Sequence, residues 1–163
     1  MNAKHVLRST LTTGETILKK YLDDLSDDDL TIRPVDGMNS IAWQLGHLIS
    51  SERSMVEGVK PGSSPALPEG FEQDHSRDTA DAADPAKFRS KAEYLKLFDA
   101  QRGATMAVLD GLQDADLDRP GPERMRSRFP TVGDVILLAG SHVIMHAGQF
   151  VAVRRKLRKP VAI

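Results

Sequence analysis

The apolar residues of this chain recur at intervals of three and four in four separate stretches, and no stretch of regular apolar–polar alternation reads convincingly as a strand. That spacing follows the 3.6-residue turn of an α-helix and argues against a sheet as the organising element. The first stretch runs from about Ala3 to Leu25, with Leu7, Leu11, Leu18, Leu22 and Leu25 along one side. Ser26 and three aspartates interrupt it, and Arg33-Pro34 favours extended backbone ahead of the proline. The second begins at Asn39 or Ser40, either a good N-cap, and runs to about Glu57 before Gly58 and Pro61. Ile41, Leu45, Leu48, Glu52 and Met55 share one side of it.

The third stretch starts near Ser90, whose spacing to Glu93 fits a capping box, and ends around Gly111-Leu112. Its stripe is Phe88, Ala92, Leu95, Phe98, Met106, Leu109 and Leu112, broken midway by Arg102 and Thr105. The fourth follows Pro130, with Thr131 as N-cap and Asp134 three residues on, and stops near Lys159-Pro160. Val132, Ile136, Ala139, Val143, Ala147, Phe150 and Leu157 mark its buried side. Helices of about 18 to 27 residues span about 27 to 40 Å. The predicted architecture is therefore all-α, a four-helix bundle of up-down-down-up type in one domain covering residues 1–163. The 58–89 connection between the second and third helices is longer than ordinary bundle turns, which makes it functional, disordered or a crossover. Carrying Phe71 and His75, it is either a lid over a site or a flexible connector.

Composition narrows the function. With 22 basic against 23 acidic side chains, the chain carries no overall electrostatic case for nucleic acid or an anionic membrane. Cysteine is absent, which removes disulfides, thiolate ligands and a cysteine nucleophile together. The longest purely apolar run, Val135 to Ala139, is far shorter than a membrane span, and MNAKHVLRSTL lacks the pattern of an export signal. A cytoplasmic protein is the expectation. The basic cluster Arg154, Arg155, Lys156, Arg158 and Lys159 falls where cations offset a helix dipole.

Five histidines remain: His5, His47, His75, His142 and His146. His142 and His146, four apart, lie on one helical face with Cβ atoms about 6 Å apart, close enough to chelate one divalent ion. On a helical wheel His146 lies roughly 50° and His142 roughly 90° from the centre of the apolar stripe, at the edge where a cleft would open. His47 shares its side of the second helix with Trp43, so it reads either as a third ligand or as a boundary residue packed on the tryptophan. His5, in the first turn, and His75, in the polar connection, read as solvated, although a loop histidine can approach a metal.

Two segments carry a resemblance. Asn39-Ser40-Ile41-Ala42-Trp43-Gln44-Leu45-Gly46-His47-Leu48 and the later His142-Val143-Ile144-Met145-His146-Ala147-Gly148-Gln149-Phe150 are similar to the DinB/YfiT-like superfamily. That family has a His-Leu on its second helix and two histidines four apart, followed by Gly-Gln, on a late helix. The resemblance implies a four-helix bundle in which His47, His142 and His146 hold one divalent ion, zinc or nickel. It also implies a homodimer and chemistry on a small molecule, either transfer involving a low-molecular-weight thiol such as mycothiol or bacillithiol, or hydrolysis.

Three neutral imidazoles leave an ion doubly charged with an open position, the arrangement of a catalytic rather than a closed structural site. Gln149 is a candidate for orienting water or substrate, against an exposed helix residue. Glu52 is a candidate general base, against an interhelical ion pair. Arg124, Arg126 and Arg128 alternate ahead of the fourth helix and in extended chain would face one way, offering a hold on an anionic substrate or thiol, against a solvated basic loop. The competing function is a non-catalytic helical binding or stress-response module whose metal site is structural or vestigial. A plain bundle without metal, with the histidines as polar edge residues, stands as the third reading.

Overall fold

Side-chain caps set where the helices begin. In the computed structural model, which describes residues 1–80 and 84–163, α1 spans Ala3–Leu22 behind Asn2, whose side chain accepts from the His5 N–H. Ser26 and Asp29 form a reciprocal capping box on a short α2, Asp27–Thr31. α3, Ile41–Val59, starts at Ser40, α5, Lys91–Gly111, at the Ser90–Glu93 box, and α6, Val132–Lys156, at the Thr131–Asp134 box. Each cap satisfies N–H groups that the first helical turn leaves unpaired. Among the described residues no strand forms; one isolated antiparallel bridge joins Pro120 to Thr131. The chain is thus all-helical, with four long helices where four stretches were predicted.

The first predicted helix breaks earlier than Leu25. The Lys91 ammonium takes the carbonyls of Leu22 at 3.2 Å and Leu25 at 2.5 Å, closing α1 before the Ser26 cap opens α2. The buried side of α5 also differs from its predicted stripe. Ala92 is exposed and Leu95 half-buried, while Tyr94, Phe98, Gln101, Arg102, Thr105, Val108 and Leu109 face inward. Three polar residues on the inner face hid the true one from apolar periodicity.

The 58–89 connection holds α4, Phe71–Asp74, and two 3₁₀ turns at Arg77–Thr79 and Pro85–Lys87. It is fastened to the bundle. The N–H groups of Gly62 and Ser64 donate to the Glu57 carboxylate, both at 2.8 Å, and Arg33 donates to the Ala80 carbonyl at 2.5 Å. Phe71 is buried in the core. His75 is also buried, with one ring nitrogen 2.7 Å from the Phe71 carbonyl and the other 2.8 Å from the Tyr94 hydroxyl, so the solvated histidine expected there is corrected.

α6 is long and apolar enough by composition alone to cross a membrane, with a mean hydropathy of 1.5 over its most apolar window. Val132, Val135, Ile136, Ala139, Val143, Ala147, Phe150 and Val153 are instead buried in the bundle, with α1 and α3 packed against the helix. The crossing with α1 is close: a Cβ on Gly140 would sit 2.8 Å from Thr10 Cγ2, and one on Gly14 would sit 2.8 Å from the Gly140 carbonyl oxygen. At the far end of α6 Arg154 is buried and paired with Asp24 at 2.5 Å, beyond the dipole role expected for that cluster.

The core is two apolar clusters separated by a polar layer. One cluster holds Leu7 and Leu11 of α1, Met55 of α3, Leu109 of α5 and Val132, Val135, Ile136 and Ala139 of α6. The other holds Leu18 and Leu22, Ile41, Ala42, Leu45, Leu48 and Ile49, Tyr94 and Phe98, and Val143, Ala147, Phe150 and Val153. Between them the Arg102 guanidinium meets the Glu52 carboxylate at 2.7 Å, both nearly inaccessible to solvent. Arg102 also donates to the Leu11 carbonyl at 3.0 Å and the Ala139 carbonyl at 3.4 Å, and the Thr105 hydroxyl donates to Glu52 at 2.7 Å. Burial pushes the Glu52 carboxyl up, while Arg102 and Thr105 pull it back down.

Removing one member of a buried pair leaves the other charge stranded, at a cost of about 3–5 kcal/mol, whereas an apolar replacement of both is often near neutral. Arg102→Met is therefore expected to lower the urea midpoint sharply, and Glu52→Leu/Arg102→Met to regain most of the loss. Equal loss in the single and double variants would contradict this.

Candidate metal centre

One turn beyond that polar layer, α3 and α6 bring three imidazoles together. His142 and His146 stand four apart on α6, with Nε2 atoms 3.1 Å apart and ring centroids 4.7 Å apart. His47 of α3 faces both, its ring centroid 5.4 Å from each. One ring nitrogen from each residue lies within 4.8 Å of the other two. Two ligands held at about 2.0–2.1 Å from one ion stand about 3.0–3.4 Å apart, so the His142–His146 spacing suits a shared ion.

The tautomer of His146 follows from a chain of hydrogen bonds. The Gln44 amide nitrogen donates to the Asn39 carbonyl at 3.0 Å, which leaves Gln44 Oε1 as the acceptor for His146 Nδ1–H at 2.8 Å. His146 Nε2 therefore carries the lone pair and presents it towards His142. A second hydrogen bond behind a metal-binding imidazole both orients the ring and raises its basicity. His47 is oriented differently, stacked on Trp43 at 5.0 Å between centroids with the planes 7° apart. Packing on the tryptophan and joining the histidine cluster are both true of this residue.

The electrostatics favour neutral, coordinating imidazoles. Burial, with His142 and Arg77 nearby, pushes His47 down to about 4. Burial, then its two histidine neighbours, pushes His146 down to about 3, and burial and Arg77 lower His142. All three shifts favour the neutral imidazole, the form a divalent ion requires. Donor type, spacing, tautomer and charge state all fit such an ion.

A cavity of about 650 Å³ opens over His47 and His142. Arg124 and Arg128 line it, but Arg126 turns away, its Nε donating to the Gly121 carbonyl at 3.0 Å. The three arginines do not face one way, because the segment is a run of tight turns rather than extended chain; the Met125 N–H, for example, donates to the Pro122 carbonyl at 2.9 Å. Arg77, from the 58–89 connection, lines the same cavity.

Gln149 is exposed on α6 and lies outside the lining. Glu52 has its two oxygens on Arg102 and Thr105, so it is the interhelical ion pair rather than a base facing the cavity. His5 is exposed on α1, and His75 packs on Gly46, where any Cβ would collide with its ring at 2.1 Å. The sequence reading missed Gln44 and Arg77. Gln44 stands five residues after Asn39 and three before His47, a spacing that signals its role only once the facing helix is known.

A family model described as the DinB superfamily matches residues 10–150, which include all three histidines and Gln44. Among curated proteins none matches the chain.

In the metal-free chain an unfolded imidazole takes up a proton near pH 6.5, whereas the folded His47 and His146 resist until about 4 and 3. Below pH 6.5 the unfolded state binds more protons, so their contribution to stability is fully present above that pH and is lost as pH falls towards 4. Urea unfolding of EDTA-treated protein should show this loss, and His146→Gln should flatten it; identical pH profiles for the two proteins would contradict the assignment. Gln44→Leu is expected to weaken zinc binding about 10- to 100-fold in a competition titration while leaving the helical content unchanged. Unchanged affinity would remove Gln44 from the centre.

Proposed function

This chain belongs to the DinB superfamily, whose model spans most of its length, and from that premise we propose a divalent-metal-dependent enzyme acting on a small molecule. The observation that carries the reading is the convergence of His47, His142 and His146, with Gln44 holding His146 in the coordinating tautomer. Zinc or nickel suits the all-imidazole set. A bound divalent ion supplies Lewis acidity and lowers the pKa of a thiol or water towards neutrality.

The protein's own residues perform the rest. His47 and His142 border the cavity, while His146 lies behind them, buried and hydrogen-bonded to Gln44. Trp43 holds the His47 plane. Met55, Met125, Phe129 and Leu138 supply the apolar part of the cavity lining. Among the described residues no carboxylate lines the cavity, and this favours thiol transfer over hydrolysis. A thiol of lowered pKa is already a nucleophile, whereas water gains from a general base. The reading is of a cytoplasmic homodimer that transfers a low-molecular-weight thiol to an electrophile.

The same missing base supports a second reading, a binding module whose ion is structural, and chelation separates the two. A structural ion contributes directly to folding free energy, so its removal melts the bundle. A catalytic ion on a bundle already packed by two apolar clusters leaves the fold intact.

Tag-free protein is expected to hold about one zinc or nickel per chain by elemental analysis. His47→Ala and His142→Ala should each lose it, with modest loss of stability. The metal-loaded protein should accelerate the reaction of a low-molecular-weight thiol with monobromobimane, and EDTA should abolish the acceleration reversibly. Full metal content in both variants would end the reading, and irreversible unfolding on chelation would favour the structural alternative.

A further inference from the structure

Two segments far apart in sequence bring guanidinium groups to one cavity. Arg77 comes from the 3₁₀ turn after α4, and Arg124 and Arg128 come from the turns before α6. Arg124 is held in place by the carbonyl and hydroxyl of Ser54. Among the described residues no carboxylate lines this cavity, so its walls give the three positive charges no counter-charge. Clefts lined by one sign of charge concentrate ligands of the opposite sign.

Size adds a second constraint. About 650 Å³ lies within the usual 300–1,000 Å³ of small-molecule sites and far exceeds the needs of a bare inorganic anion. The remaining wall carries Met125, Phe129 and Met145, and methionine adapts to irregular apolar shapes. His47 and His142 line the same cavity.

We propose that this cavity is a clasp for an organic anion: Arg77 of the 58–89 connection, with Arg124 and Arg128 ahead of α6, holds a carboxylate or phosphate group. The apolar body of the same molecule lies on Met125 and Phe129 and reaches towards the histidines. This names the substrate class of the site and rests on the reading of that site as a metal-dependent one. Arg77 is a specificity-determining residue contributed by the 58–89 connection, which gives that long segment a role beyond linking two helices. Arginine suits the task because its planar fork pairs with carboxylate and phosphate oxygens two at a time.

Trp43 is the chain's single tryptophan and stacks on His47, a residue of the cavity lining, so its fluorescence reports on the cavity. The test titrates benzoate, phenylphosphate and neutral benzyl alcohol into zinc-loaded and EDTA-treated protein, with zinc content measured separately. Both anions are expected to bind at least about tenfold more tightly than the alcohol, less so at high salt. Arg77→Gln and Arg128→Gln, at exposed positions, should each reduce anion affinity roughly ten- to hundredfold with zinc content unchanged. Equal binding of alcohol and anion, or anion affinity untouched by both variants, would overturn the clasp while leaving the histidine centre standing. Anion affinity that survives both variants and vanishes with EDTA would overturn it in favour of the metal as sole anion site. Zinc lost from His142→Ala with anion preference retained would support the clasp.

Discussion

A guanidinium and a carboxylate buried 2.7 Å apart set the relative register of all four long helices. Glu52 belongs to α3 and Arg102 to α5, and the same guanidinium reaches the Leu11 carbonyl of α1 and the Ala139 carbonyl of α6. Hydrophobic packing is weakly directional, and a bundle of leucines tolerates sliding by a turn. A buried charge does not, because a shift by one turn strands it without a partner. The consequence for the site is direct. Ala139 lies three residues before His142, and Glu52 five residues after His47, so fixing these two points on Arg102 sets His47 opposite the α6 histidines.

The centre itself is a relay of hydrogen bonds running from backbone to lone pair. The Asn39 carbonyl, just ahead of α3, orients the Gln44 amide; the amide sets the proton of His146; the proton's position aims Nε2. One decapeptide thus supplies a cap in Ser40, an orienting amide in Gln44, a stacking platform in Trp43, a gap for the His75 ring at Gly46 and the candidate ligand His47. Gly46 ties the long connection to the centre as well. The seating of His75 against it carries the chain on to Arg77 at the rim of the cavity.

Much of this was readable from the chain alone, for identifiable reasons. Caps are local: Ser90 with Glu93 and Thr131 with Asp134 announce themselves at fixed spacing, and both boxes form. The i, i+4 histidines share a face by helix geometry whatever packs against them. The inner face of α5 was obscured because Gln101, Arg102 and Thr105 lie on it, and their burial makes sense only opposite Glu52 of another helix. His75 looked solvated among prolines, serines and aspartates, since nothing nearby in sequence announces Tyr94 as its partner. The arginine row before α6 misled for a different reason: alternate residues share a side only in extended chain, and this segment turns. What escaped the sequence is what depends on contacts between helices, and that includes Gln44 and Arg77.

The central claim is that three imidazoles from α3 and α6 bind one divalent ion. X-ray absorption spectroscopy of protein carrying one equivalent of zinc tests it most directly, because imidazole rings give characteristic multiple scattering. The account predicts three imidazole nitrogens at about 2.0–2.1 Å with the remaining position filled by a light atom, and loss of this three-imidazole signature in His47→Ala. A spectrum dominated by oxygen scatterers, or one unchanged by the loss of His47, would contradict it.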